Sequence, residues 1–222
     1  MAEDIPLFPL PEEIGPAKQI GRVLVIACGA LAREILAIKE INRLDHIDLT
    51  CLPAQLHNTP DKIPAEVRRT ILANQPAYDE ILIAYADCGT GGLLDKVMDE
   101  TGAKRIGGAH CYAFFTGLEE FDSLEDDQLG TFYLTDFLAR HFQTMVVEPL
   151  GLDWKPELRD MYFAHYTRVL YLAQTDDPKL EEAAKAAAER LQLPFEKRAT
   201  GYGLLQNFLR DSGPGNPQLT GD

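Results

Sequence analysis

Four cysteines and two histidines carry the chemistry this sequence offers: Cys28, Cys51, Cys88 and Cys111, with His57 six residues beyond Cys51 and His110 adjacent to Cys111. Thiolate and imidazole are the ligands that select zinc or iron, and three cysteines with one histidine make a known tetrahedral set. No two of these cysteines form a CxxC pair, so neither a zinc ribbon nor a thioredoxin-like motif is written in the spacing. Adjacent strand residues point to opposite faces, so His110 and Cys111 divide the work. Cys111 is the candidate ligand and His110 the candidate acid/base group. The same argument separates Asp87 from Cys88. It leaves Asp87 to accept a hydrogen bond from a ligating histidine or to act as a base.

Asp87 and Cys88 stand in "AYADCGTGG", residues 84–92, where an apolar run ends in an acid, a thiol and three glycines. The run reads as a buried strand opening into a tight turn. The turn matches neither GxGxxG nor GxxxxGK[ST], which makes a nucleotide loop the weaker reading. Gly89, Thr90 and Gly91 are instead the candidates for bringing bare backbone close to a substrate or cofactor.

The elements that must position these residues alternate. "RVLVIACGA" reads as a strand buried on both faces, and "LAREILAIKEINRL" as a helix with apolar residues at Leu31, Ile35, Leu36, Ile38 and Ile41. "HIDLTCL" is a strand, "DKIPAEVRRTILANQ" a helix with Pro64 in its first turn, "YDEILIAYADC" a longer strand, and "LLDKVMDETGA" a helix closed by Gly102. A further strand is expected within "KRIGGAHCYAFF". "LEEFDSLEDDQLG" reads as an acidic loop and "TFYLTDFLARHFQTMV" as an aromatic helix. "RVLYLAQT", "DPKLEEAAKAAAERLQL" and "PFEKRA" then repeat strand, helix, strand.

Strands alternating with helices predict an α/β fold, a doubly wound, mostly parallel sheet flanked by helices, built from two βα halves around an aromatic helical insertion. The expected boundaries are an extended arm over 1–20, a single α/β domain over 21–210 and a flexible tail over 211–222. Ligands of such sheets bind beyond the carboxyl ends of the strands. All four cysteines fall at predicted strand ends, which gathers them along one edge.

The formal charge of -14 argues against nucleic acid and anionic membranes as partners, since both need clustered Lys and Arg. The opening "MAEDIPLFPLPEEIGPAKQIG" is acidic and proline-rich where a signal peptide would be basic and then apolar, and no run approaches the ~20 apolar residues that span a bilayer. The expectation is a cytoplasmic protein with reduced thiols.

With these residues in place, the chain resembles the family called domain of unknown function 1638 over roughly residues 20 to 205. The resemblance is carried by "CGAL", "LPAQLHNTP", "YADCGTGG", "HCYAFFTG" and "GTFYLTDFL", in that order. It implies a site of Cys28, His57, Cys88 and Cys111, with Cys51 accessory. The sequence has His110 where the family often carries Asp. The resemblance also implies methyl or one-carbon metabolism, with a corrinoid protein or methyltransferase as partner.

Three functions follow as expectations. The first is a metalloenzyme, zinc favoured, of transferase or hydrolase/lyase type, acting on a small molecule; an iron-sulfur cluster held by the same cysteines is its variant. The second is a non-enzymatic accessory or binding protein for a corrinoid methyltransferase. The third is a metal-free cysteine nucleophile, Cys88 at a helix N-terminus.

Overall fold

The computed structural model describes residues 21–123 and 130–212. The expected arm over 1–20, the end of the acidic loop and the tail from 213 lie outside the described residues. A first sheet contains β1 (Val23–Cys28), β2 (Ile47–Leu52), β3 (Glu80–Ala84) and β4 (Lys104–Arg105), all parallel, in the order β2-β1-β3-β4. A second contains β5 (Thr131–Leu134), β6 (Arg168–Ala173) and β7 (Phe195–Ala199), parallel and in sequence order.

Every residue of β1 is buried. That is the reason for its continuous apolar run, because a central parallel strand has helices on both faces. α1 (Ala32–Asn42) and α2 (Ile63–Asn74) connect the first three strands and turn Ile35, Ile38, Val67 and Ile71 fully into the core. Side chains of that size contribute about 1.5–3 kcal/mol each on burial. α3 (Leu93–Thr101) ends at Gly102, whose φ of 73° is the left-handed helix stop expected from the sequence. The second core forms around β6 and α8 (Pro178–Leu191), which Asp177 caps through the Lys179 amide.

Three local expectations are corrected. "TFYL" is not the start of a helix but β5, hydrogen-bonded along β6 in the register Thr131↔Arg168 to Leu134↔Tyr171. Its β-branched and aromatic residues suit a pleated strand, and the helix starts only at Thr135, whose hydroxyl accepts from the Leu138 amide. That helix, α6 (Asp136–Arg140), gives way to a π-helical turn over Gln143–Val147. The front of the acidic stretch is also helical, α5 (Leu118–Ser123), following the short α4 (Ala113–Thr116). After β5 and α6 come α7 (Leu158–Phe163) and, at the end, α9 (Gly203–Arg210).

The parallel elements thus fall into two sheets. The two halves meet around the exits of β1 and β3: α6 packs on the 3₁₀ turn Gly29–Leu31 that follows β1, and α9 packs on α1 and α4. Gly203 makes the second contact. Its φ is 49°, and a Cβ there would stand 2.5 Å from the Phe114 carbonyl oxygen and 2.6 Å from that of Phe115.

Candidate functional site

The winding of the first sheet reverses between β1 and β3, since the chain passes from β1 outward to β2 and returns to the other side of β1. A crevice opens beyond the strand ends at such a reversal. Here it is a cavity of about 230 Å³ lined by Cys28, His57, Tyr85, Cys88, His110 and Cys111 on the side of the first sheet. Phe132, Phe137, Leu138 and Met145 from the second half close the opposite wall.

Cys28 is the last residue of β1, but Cys88 lies beyond Ala84 in the β3 exit turn and Cys111 beyond Arg105, just before α4. Backbone hydrogen bonds bring the latter two together. The amides of Asp87 and Cys88 donate to the carbonyls of Gly108 and Ala109, each at 2.9 Å, and the Phe114 amide donates to the Cys111 carbonyl at 3.1 Å. The two segments therefore run side by side, and Cys88 Sγ stands 3.5 Å from Cys111 Sγ. Both thiols are free, at a separation far beyond the ~2.05 Å of a disulfide.

Cys88 is buried, and its φ of 49° places a side chain in the left-handed region. Such strain costs about 1–3 kcal/mol and collects at functional sites. The Cys88 thiol is pulled down to about 5, first by a hydrogen bond from Cys111 and then, against its burial, by the ring of His57 and the nearby His110. His57 shifts the other way: its bond to Cys88 raises it, against the loss of solvation. The opposite shifts are those of a thiol that gives its proton to a neighbouring imidazole. Cys111 is pushed far up, first as the proton donor to Cys88 and then by burial.

Cys28 is pushed up to about 11 by burial, partly offset by the Ala30 backbone. Beside it the hydroxyl of Tyr85 is buried without a well-aligned hydrogen-bond partner, although Cys28 is within reach. A buried hydroxyl left without a partner costs about 1–3 kcal/mol. Tyr85 is not among the sequence candidates; its signal is a phenol directly after the apolar run of β3.

Asp87, the glycine turn and Cys51 stand apart from this cluster, and His110 lines the cavity from its edge. Asp87 accepts from the Thr90 hydroxyl at 2.6 Å and from the amides of Gly91 and Gly92 at 3.0 and 2.8 Å. Its partial burial is outweighed by these donors, and its carboxyl lies below the usual range. Asp87 holds its own turn. The same bonds engage the Gly91 amide, and Gly89, Thr90 and Gly91 do not line the cavity. Cys51 also lies off the cavity, in β2, pushed up to about 12 by burial. His110 is exposed at the rim, its ring 6.3 Å from Phe121 and 6.4 Å from Tyr112.

The chain belongs to the family described as Protein of unknown function (DUF1638), which matches residues 51–209. That span contains His57, Cys88 and Cys111, while Cys28 precedes it. No curated protein and no solved structure matches the chain. Among the described residues, no helix is long and apolar enough to cross a membrane.

Thiol and imidazole are donor types that suit a soft metal. Two thiolates on one tetrahedral zinc, each at about 2.3 Å, stand about 3.8 Å apart, close to the observed 3.5 Å. Among the described residues, no group of three or more His, Cys, Asp or Glu side chains is gathered around one point that could hold a metal ion.

Proposed function

We propose that this family member is a metal-dependent enzyme, with zinc the favoured metal, acting on a small and largely apolar substrate in the cavity between its two sheets. The observation that carries the reading is the Cys88–Cys111 pair at near-ligating separation, with His57 on Cys88 and Cys28 in the same cavity. Cys28, His57, Cys88 and Cys111 are the residues that would hold the metal. Bound there, a thiolate-rich zinc supplies Lewis acidity suited to activating a thiol or a methyl acceptor, because each thiolate lends it charge and makes it a poor generator of hydroxide.

The chain's own groups supply the rest. Hydrogen bonding from Cys111 and His57 keeps Cys88 deprotonated and ready to ligate at neutral pH. The Tyr85 hydroxyl offers an uncommitted donor to a substrate oxygen or nitrogen. His110, at the exposed rim, exchanges protons between cavity and solvent. The Phe115, Phe132 and Phe137 rings exclude water and strengthen these polar contacts. Methyl or one-carbon chemistry, in the cytoplasm and beside a corrinoid protein or methyltransferase, is the setting this reading favours.

Elemental analysis and an absorbance spectrum on protein purified without oxygen test it. A colourless protein with close to one zinc per chain is expected, and Cys88→Ser or Cys111→Ser should lose most of the metal. A brown protein with broad visible absorbance would mean an iron-sulfur cluster on the same cysteines. Neither metal near stoichiometry, after supplying each to the reduced protein, would refute the proposal.

A second reading, Cys88 as a metal-free nucleophile, is favoured by its strained backbone and its pairing with His57. It requires Cys88→Ser to abolish covalent labelling by a thiol-directed substrate mimic while metal content stays as in the unaltered protein.

A further inference from the structure

On the other side of the α1–α6 wall lies a second cavity, of about 340 Å³, lined by two arginines, Arg33 and Arg140, and four carboxylates, Glu34, Asp136, Asp176 and Asp177, with Thr175 and Tyr202. Small-molecule pockets begin at about 300 Å³. The two cavities stand back to back: Thr135, Phe137 and Leu138 of the α6 region line the thiol cavity, while Asp136 and Arg140 line this one.

Asp136 is part of the wall's framework. Its carboxylate accepts from the Tyr171 hydroxyl at 2.7 Å, the Gln174 amide at 3.1 Å, and the Thr175 amide and hydroxyl at 3.0 and 2.5 Å. Its lone pairs are used up. Glu34 and Arg140 differ. Glu34 is only 5% exposed, and its Oε2 has no hydrogen-bond partner; Arg140 Nη1 is likewise buried and unpartnered. Leaving such charged groups unsatisfied costs more than leaving a neutral polar group so. Burial pushes the Glu34 carboxyl up to about 7 despite the Arg140 charge nearby, as befits a carboxylate with no cation in contact.

One unpaired acceptor and one unpaired guanidinium donor in the same cavity call for a ligand that carries both complements. We propose that this cavity is a second binding site, for an α-amino acid zwitterion, with its ammonium on Glu34 and its carboxylate on Arg140. Arg33 lines the same cavity and adds positive charge, and Thr175, whose hydroxyl donates to Asp136, keeps lone pairs free to accept. Tyr202, the residue before α9, lines the cavity from a third element. A site for a simple anion would not place a buried, unpartnered carboxylate beside the arginine. Asp176 and Asp177 are engaged elsewhere, with Lys197 and with the Lys179 amide, so Glu34 is the carboxylate left to a ligand.

Calorimetric titration of the full chain with each of the twenty proteinogenic amino acids tests this. At least one should give a saturable isotherm. Its decarboxylated amine and its deaminated acid should each bind about ten-fold more weakly or worse, since each leaves one buried charge unpaired. Glu34→Gln and Arg140→Gln should weaken binding by a similar factor, with circular dichroism confirming the fold. The proposal is overturned if no amino acid binds, or if the truncated analogues bind as well as the parent. It is also overturned if binding survives both substitutions, which would leave only water in the cavity. The analogue comparison uses unaltered protein and decides the matter even if both variants misfold.

Discussion

The Cys88 thiolate is the feature of the thiol cavity most directly open to measurement. Its ordinary value of 9.0 is lowered to about 5. At about 1.36 kcal/mol per unit, the site favours thiolate over thiol by roughly 5 kcal/mol. The largest share comes from the Cys111 hydrogen bond, followed among the lowering influences by His57. Removing Cys111 with Ala, or the imidazole with His57→Ala, in metal-free protein should therefore raise the Cys88 value by about one to three units each. The rate of iodoacetamide alkylation at a single pH is a poor readout, because intrinsic nucleophilicity falls with thiol pKa and nearly offsets the greater thiolate fraction. The informative quantity is the pH at which the alkylation rate of the Cys88 peptide reaches half its plateau. That midpoint should lie near 5 in the unaltered protein and move upward in both variants. A midpoint above 8, or one that neither substitution moves, would refute a proton given by Cys88 to His57. Stability follows the same linkage. Because the folded value lies below the unfolded one, the stabilisation from Cys88 is complete above pH 9.0 and is lost as pH falls towards 5. His57, raised by the same contact, has the opposite sign: its contribution is complete below 6.5 and lost as pH rises through its folded value.

Glu34 makes a prediction of opposite sense. An acid raised from 4.5 to about 7 in the fold costs nothing below the lower value and up to about 3 kcal/mol above the higher. Glu34→Gln should thus raise the urea midpoint at pH 8 and leave it nearly unchanged at pH 4.5, whereas an equal effect at both would exclude titration as the cause. Gly203→Ala should destabilise by more than about 2 kcal/mol, because the new methyl meets two backbone carbonyls in a left-handed residue. Denaturation with unchanged midpoint would show that α9 can shift on α4 at little cost.

The local elements of this chain follow from periodicity. "RVLVIAC" could only be a strand buried on both faces, and "DPKLEEAAKAAAERLQL" could only be a helix with its alanine stripe inward; both are so found. From alternation alone came the parallel pairing, and from parallel pairing the rule that placed Cys28, Cys88 and Cys111 near one edge. Hydrophobic patterning is local, and these conclusions need nothing beyond it. The family, too, was legible in short motifs, of which all but "CGAL" fall within the matched residues 51–209.

Other features depended on where distant segments meet. "TFYLTDFL" carries both periods, and only the presence of β6 alongside made its first half a strand. Asp87 stood at the right strand end to serve the thiols, yet the free amides of its own turn lay nearer and claimed the carboxylate. The 3.5 Å approach of Cys88 to Cys111 was set by backbone bonds between segments twenty residues apart in sequence, roughly, and by no motif. Most of all, the meeting of Glu34 on α1 and Arg140 on α6 in one cavity, each left unpartnered, has no sequence signal. Which residues carry charge or sulfur is a property of the chain; which of them are left buried and unpaired in a shared cavity is decided by tertiary packing, because desolvation acts only where segments close over one another.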